Sequence, residues 1–481
     1  MMKEFAELAL NTAQAQGATY GDIRILHTDS ERIATKNGNV ESLITSEDRG
    51  FGVRVLVSGS WGFASSADVT KAAIEETSAR AVQIAKASAL LKQQDVTLAD
   101  EPAHVDSWKT PYERDPFTVP IEEKIDLLLQ IDTVLRRVKK IGVAEGVLSF
   151  WKEKTIFANT EGSFIEQELL RSGAGYTATA IDNGEMQIRS YPGSHRGLFM
   201  GKGYELIHEL SLLEQAERVG EEAVALLSAP TCPSGKKDII LNPNQLFLQI
   251  HESIGHPTEL DRVLGTEANF AGTSFATPEK LHTLQYSSDI VTIRADTLTP
   301  GGLATAGYDD DGVAAQQWYL IKDGLFVGYL TNRETAHVIG ETRSRGCNRA
   351  DGWNRLPIIR MPNISLMPGT WTLDDLIADT DDGLLFDCNK SWSIDDKRVN
   401  FQFATEVAWE IKNGKKGQMF KNPTYQGITT EFWNACDGIC NQDHFVLWGT
   451  PNCGKGQPGQ TAAMSHGCAP ARFRNVTVGV A

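Results

Sequence analysis

Residues 251–256 read His251-Glu252-Ser253-Ile254-Gly255-His256, and no other stretch restricts the chain so tightly. Two imidazoles flank a carboxylate in an otherwise apolar segment. Upstream, Asn242 can cap a helix, Pro243 suits its first position, and Leu246, Phe247, Ile250 and Ile254 supply an apolar stripe. Metal-binding helices of the H-E-x-x-H kind set their histidines four apart, on one face. Here the interval is five. Five residues of a regular helix turn roughly 500°, which leaves the rings about 140° apart. Rings so placed cannot share an ion, so a helix that uses both must end or bulge between them. Gly255 and Pro257 bracket the second histidine. Glycine commonly terminates helices, and a residue before proline is pushed away from helical angles. The segment therefore predicts a helix that ends or bulges near Gly255 and swings His256 back toward His251.

Neutral imidazoles bind zinc well, and a neighbouring carboxylate can take a proton from water held by the metal. The same pattern also suits ordinary polar positions on a half-buried helix, so alone it is a weak signal. A catalytic zinc needs a third protein ligand and an open position. Candidates are Cys347, Cys436, Cys440, Cys453, His337 and several carboxylates. Cys453 sits in a glycine-rich loop, residues 451–459, where Lys455 would favour a thiolate. Cys436 and Cys440 stand four apart but read first as inert buried thiols.

The whole chain sets wider bounds. Its 481 residues are enough for two or three domains. A net charge of −16 argues against nucleic acid and anionic membranes as partners. No run of eighteen apolar residues predicts a membrane helix. Seven cysteines are odd in number and sparse, so a disulfide scaffold is not expected and the reducing cytoplasm is the expected location.

Periodicity predicts an α+β fold. Helices are expected at 2–16, 67–91, 121–139 and 204–227. Strands are expected at 22–27, 33–35, 40–45, 52–57 and through 146–189. Asn37-Gly38, Ser58-Gly59-Ser60 and Asp182-Asn183-Gly184 mark turns. Residues 100–120 read as a surface connection. The Pro- and Gly-bearing stretch 229–235 reads as a linker. It divides an N-terminal α/β domain, 1–228, from a largely antiparallel β domain, 229–481, that carries the metal helix. In the second domain a short helix is expected near 373–378, and Asp323-Gly324 and Asn413-Gly414 mark hairpins. Asp309, Asp310 and Asp311 beside Gly312 read as a solvated turn, since calcium-loop spacing is absent.

Several stretches resemble one known family along nearly the whole chain. They include Ala18-Thr19-Tyr20-Gly21-Asp22-Ile23-Arg24, Gly50-Phe51-Gly52-Val53-Arg54-Val55 and Gly59-Ser60-Trp61-Gly62-Phe63-Ala64. Further along come the 251–256 motif, Gly307-Tyr308-Asp309-Asp310-Asp311-Gly312, Arg360-Met361-Pro362-Asn363 and Cys453-Gly454-Lys455-Gly456-Gln457. On these the chain is similar to the metal-bearing members of the TldD/PmbA (TldE) family of zinc metallopeptidases, whose histidines share the five-residue interval. The resemblance implies that His251, His256 and Cys453 ligate Zn2+ and that Glu252 is the catalytic base. It also implies an unfolded-peptide substrate, possible leader-peptide removal, and a TldE/PmbA-like partner subunit or a homodimer. Cys436, Cys440 and Cys468 match no family element. Arg349, Arg355, His337 and Tyr308 stand as candidates for a second oxyanion donor. Two other readings are a non-catalytic regulatory or binding subunit with a structural zinc, and a zinc amidase for small molecules.

Overall fold

Four strands of 17 to 19 residues, Tyr20–Lys36, Asn39–Val57, Ile141–Asn159 and Phe164–Asp182, run through the first half of the chain. The computed structural model describes residues 2–194, 197–457 and 459–479, so Pro458 of the glycine-rich loop lies outside the described residues. The sheet is eight-stranded, in the order Ser60–Ser66, Asn39–Val57, Tyr20–Lys36, Ile141–Asn159, Phe164–Asp182, Val105–Lys109. Glu185–Tyr191 and Leu198–Met200 also pair with Phe164–Asp182.

The sequence predicts broken strands where the fold has continuous ones. Two cores explain why. At one end Met2–Ala15 and Lys71–Ser88 cover Ile23, Phe51, Val53 and Val55. At the other Ile121–Arg137 and Leu212–Ser228 cover Ile33, Leu148, Ala174 and Ala178. Between them the strands are polar, as at Asp29-Ser30 and Ser46-Glu47-Asp48, and so lose their apolar alternation without losing their pairing. Two further expectations are corrected. The stretch 100–120 contributes Val105–Lys109, which pairs in parallel with Phe164–Asp182 through backbone bonds that a mostly exposed sequence does not advertise. The helix at 204–227 is two helices, Glu205–Glu209 and Leu212–Ser228, parted by Ser211 at φ 46°. The two-residue turns hold: Asn37-Gly38, Asn183-Gly184, Asp323-Gly324 and Asn413-Gly414 all have φ > 0 at both positions.

The second half is strand-rich and largely antiparallel. Five strands close on themselves: Asp382–Ile394 pairs with Gly235–Leu241, then Ala471–Val478, Thr424–Ile428 and Asn400–Lys412, which returns to Asp382–Ile394. Closure leaves these strands few bare edges. Phe386, Phe403, Tyr425, Phe432 and Phe473 belong to its core. Outside this ring, 297–316 and 327–347 have little regular structure, contrary to the expectation of strand. Carboxylates stand in for ladder partners there. Asp296 accepts the N–H groups of Leu298 and Thr299, and Asp309 accepts those of Asp311, Val313 and Asn348.

Buried arginines join the halves. Arg54 donates to Asp22 and Asp311 at 2.7 and 2.6 Å, Arg24 to Asp310 at 3.2 Å, and Arg333 to Glu161 at 2.7 Å. Thus Asp310 and Asp311 receive arginines from the first sheet and Asp309 accepts backbone N–H groups, so the triplet is a knot and not a solvated turn. The knot also explains how stretches distant in sequence belong together.

Candidate functional site

The helix Pro243–Ile250 leaves Gly235–Leu241 and lies against the closed sheet. Its polar face is buried yet satisfied. Gln245 donates to the Tyr425 hydroxyl at 2.7 Å, and that hydroxyl donates to Gln249 at 3.0 Å. Gln249 donates in turn to Ser253 at 3.0 Å, and Trp433 donates to Ser253 at 2.9 Å. A satisfied network of this kind fixes one orientation of the helix.

From His251 to Gly255 the helix widens to a π turn, and His256–Thr258 tightens into a 3-10 turn. The His256 N–H donates to the His251 carbonyl, five residues back. One π turn therefore separates the two histidines, and the rings meet edge to face with centroids 4.9 Å apart. A bulge near Gly255 is as expected, but the mechanism differs. Gly255 and His256 both keep right-handed angles (φ −61°, ψ −64° and φ −59°, ψ −41°), so neither breaks the helix. Gly255 is needed for space: a Cβ there would meet the Met361 sulfur at 2.2 Å. Side chains hold the altered turn. Tyr286 donates to the Ser253 carbonyl, and Thr258 donates to those of Ile254 and Gly255 at 2.9 and 3.0 Å.

Cys453 comes from the other side, on the hairpin Val446–Lys455 with Gln460–Cys468. Arg360 ties that hairpin through the carbonyls of Cys453 and Gln460. Ligand-capable atoms of His251, His256 and Cys453 all lie within 4.8 Å of one another, and all three residues are buried. The Cys453 sulfur is 3.6 Å from His256 Nε2. The outer nitrogens are engaged. His256 Nδ1 donates to Glu259 at 2.8 Å, and His251 Nδ1 lies 2.8 Å from His466 Nε2. His466 Nδ1 is 3.3 Å from the Ile364 carbonyl, so a proton there leaves Nε2 to accept from His251. Both Nε2 atoms of the pair are then free to face the sulfur.

Electrostatics favour a thiolate at Cys453 and a neutral ring at His256. Burial alone would push the Cys453 thiol up, but the imidazoles facing it outweigh burial and hold it well below its usual value. Burial pushes His256 well down and so favours the neutral ring. Burial opposes a charge on His251 too, yet the neighbouring Cys453 thiolate outweighs it and draws that imidazole up. Lys455 is not what favours the thiolate: it is spent on Asp261 at 2.6 Å, Glu259 at 3.3 Å and the Ile359 carbonyl.

A cavity of about 470 Å³ opens onto the three residues. Glu252 lines it, with Phe247, Trp392, Ile394, Arg398 and residues 449–454. Glu252 Oε2 accepts from Arg398 Nη1 at 2.6 Å. Sequence reasoning missed His466, Glu259 and Arg398. Glu259 had a signal, a carboxylate one short turn past His256; the other two arrive from strands or turns with none. Cys347, Cys436, Cys440, Cys468 and His337 lie outside the cluster. Burial pushes up the thiols of Cys436, Cys468 and Cys440, the last to about 12, as for inert cysteines. Arg349, Arg355, His337 and Tyr308 do not line this cavity among the described residues. Arg349 is used by two carbonyls and Tyr308 by Asp106. No described helix is long and apolar enough to cross a membrane.

Known proteins share this architecture. Residues 21–85, 114–227 and 234–480 match, in turn, domain 1, the central domain and the C-terminal domain of the PmbA/TldA metallopeptidases. A metalloprotease of Methanocaldococcus jannaschii is 32% identical over 87% of this chain and 89% of its own length. A zinc metalloprotease TldD homolog of Saccharolobus solfataricus is 21% identical over 98% of each chain. The crystal structure of TldE from Thermococcus kodakarensis superposes with a TM-score of 0.73 at 16% identity, over 98% of this chain and 99% of that one. The matches to all three domains and the 32% identity to a full-length relative lead to one conclusion: the chain belongs to the PmbA/TldD metallopeptidase family.

Proposed function

We propose that this chain is a zinc-dependent peptidase of the H-E-x-x-x-H type that cuts unfolded or extended peptides, leader segments among them. One observation carries the reading: three ligand-capable atoms converge within 4.8 Å on the wall of a cavity that Glu252 shares. The donor set fits zinc, with two oriented imidazoles and one thiol held low. Three protein donors leave a fourth, open position, as catalytic zinc requires. Bound there, zinc supplies a Lewis acid for the scissile carbonyl and for attacking water. His251 and His256 hold their Nε2 lone pairs inward because His466 and Glu259 hold Nδ1. Glu252 takes the proton of the attacking water at Oε1, the oxygen Arg398 does not occupy, and passes it to the leaving amine.

The hairpin supports an extended substrate. Residues 449–454 line the cavity, and Val446–Lys455 pairs with one described strand only. A peptide can add to its other edge by main-chain bonds, which accept many side chains and exclude folded proteins. The family's organisation supports work with a TldE/PmbA-like partner or a second copy.

The test is zinc per chain after loading, for the wild type and Cys453→Ala, with hydrolysis of unstructured peptides and a small amide panel. About one zinc in the wild type, little in the variant, and peptide hydrolysis lost in Glu252→Gln support the proposal. Equal zinc in both removes Cys453. Zinc with no effect of Glu252→Gln favours a structural metal. Preference for small amides favours an amidase.

A further inference from the structure

We propose that Arg398 is a positioning residue for Glu252, a role that rests on Glu252 being the general base. Its guanidinium meets Glu252 Oε2 at 2.6 Å on the wall of the cavity. Glutamate has three side-chain torsions, and one charge-assisted bond to a fixed donor removes much of that freedom. The pairing engages Oε2, so Oε1 is the oxygen left for proton transfer.

The donor is fixed because the turn beneath it is built. Arg398 lies in the connection between Asp382–Ile394 and Asn400–Lys412, at φ 63°, a region that non-glycine residues seldom adopt. Four contacts hold it there. The Arg398 N–H donates to the Asp395 carbonyl at 2.9 Å, and its own carbonyl accepts from the Thr429 hydroxyl at 2.7 Å. The Asp395 carboxylate accepts the N–H groups of Lys397 and Val399 on either side, at 3.1 and 2.8 Å. A backbone held in a sparsely populated region by its surroundings points to a task for the side chain. That side chain is mostly buried, and its Nε is buried with no partner among the described residues. Among the described residues its one side-chain hydrogen bond is to the carboxylate beside His251.

Arg398→Ala, Arg398→Lys, Glu252→Gln and the double variant Glu252→Gln/Arg398→Ala are compared in the zinc-loaded chain, with metal content and thermal midpoint as checks on folding. Arg398→Ala is expected to keep its zinc and its KM while kcat falls roughly 10- to 100-fold. Arg398→Lys should recover part of the loss, because an ammonium can reach the same oxygen. In the Glu252→Gln background, removing Arg398 should cost nothing further in kcat, since the arginine acts only through the carboxylate. An undiminished kcat in Arg398→Ala, a change confined to KM, or an equal loss in both backgrounds overturns the proposal while Glu252 stands. If Glu252→Gln itself keeps wild-type kcat, the base assignment fails, and the role of Arg398 fails with it.

Discussion

Among the regions of this molecule that concentrate buried charge, two end differently. The knot around Arg54 joins Asp22, Asp311 and Asn348 with each contact between 2.6 and 2.9 Å. Its donors and acceptors are turned on one another. The cluster around His251, His256 and Cys453 is just as buried, and its outer nitrogens are likewise taken up, by His466 and Glu259. Its inner atoms are left facing a common point beside a cavity. Burial and perturbed titration occur in both regions, so neither identifies a site. What separates them is unused donor capacity aimed at open space.

The sharpest way to break this contrast is to remove chemistry from one region and stability from the other. Glu252→Gln should lower peptide hydrolysis by roughly 10²- to 10⁴-fold, the usual worth of a general base, with a smaller loss of stability than Arg54→Met, because the amide oxygen can still accept from Arg398. Arg54→Met should do the reverse. It strands the carboxylates of Asp22 and Asp311, and breaking a buried pair costs about 3–5 kcal/mol. Denaturant unfolding should show that loss, while zinc per folded chain stays at the wild-type value. Loss of zinc from folded Arg54→Met would show that the knot shapes the site and is not merely a joint.

A smaller effect tests how the inner atoms are aimed. Glu259→Gln keeps the shape of the His256 partner but removes its charge. Metal affinity should fall roughly 10- to 100-fold, as is usual when the partner of a ligating histidine is lost. Competition with a chelator measures it. Unchanged affinity would mean that His256 is oriented by packing alone.

How much of this was legible in sequence follows from the range of the forces. The π turn left a local signature, two histidines five apart with Gly255 between them, and sequence reasoning placed the irregularity correctly. It assigned the irregularity to glycine and proline angles, because Met361, whose sulfur fills the space beside Gly255, is distant in sequence. The hairpin turns were legible because Asn-Gly and Asp-Gly readily supply two successive left-handed residues. The long strands were not, since their polar centres carry no apolar alternation. Nor was the knot, for an Asp triplet beside glycine looks solvated until Arg54 and Arg24 are brought to it. His466 and Arg398 had no local mark at all. Each acts through one atom on a residue more than a hundred positions away.

The smallest effect is on pH, and it separates the acids of the knot. Burial disfavours a charged Asp311, but Arg54 outweighs it and holds the carboxyl below its usual value near 3.8. A lowered carboxylate contributes stability that is fully present above its unfolded pKa and is lost as pH falls through the folded one. Asp309 runs the other way. Burial pushes it well up, so its contribution is complete at low pH and declines as pH rises. Below about pH 4 the Asp311 contribution should therefore fade while that of Asp309 does not. Thermal midpoints between pH 3 and pH 5 should fall more steeply toward acid in the wild type than in Asp311→Asn, whose side chain cannot titrate. Equal slopes would place the acid sensitivity elsewhere and would mean that Arg54 is neutralised by Asp22 alone.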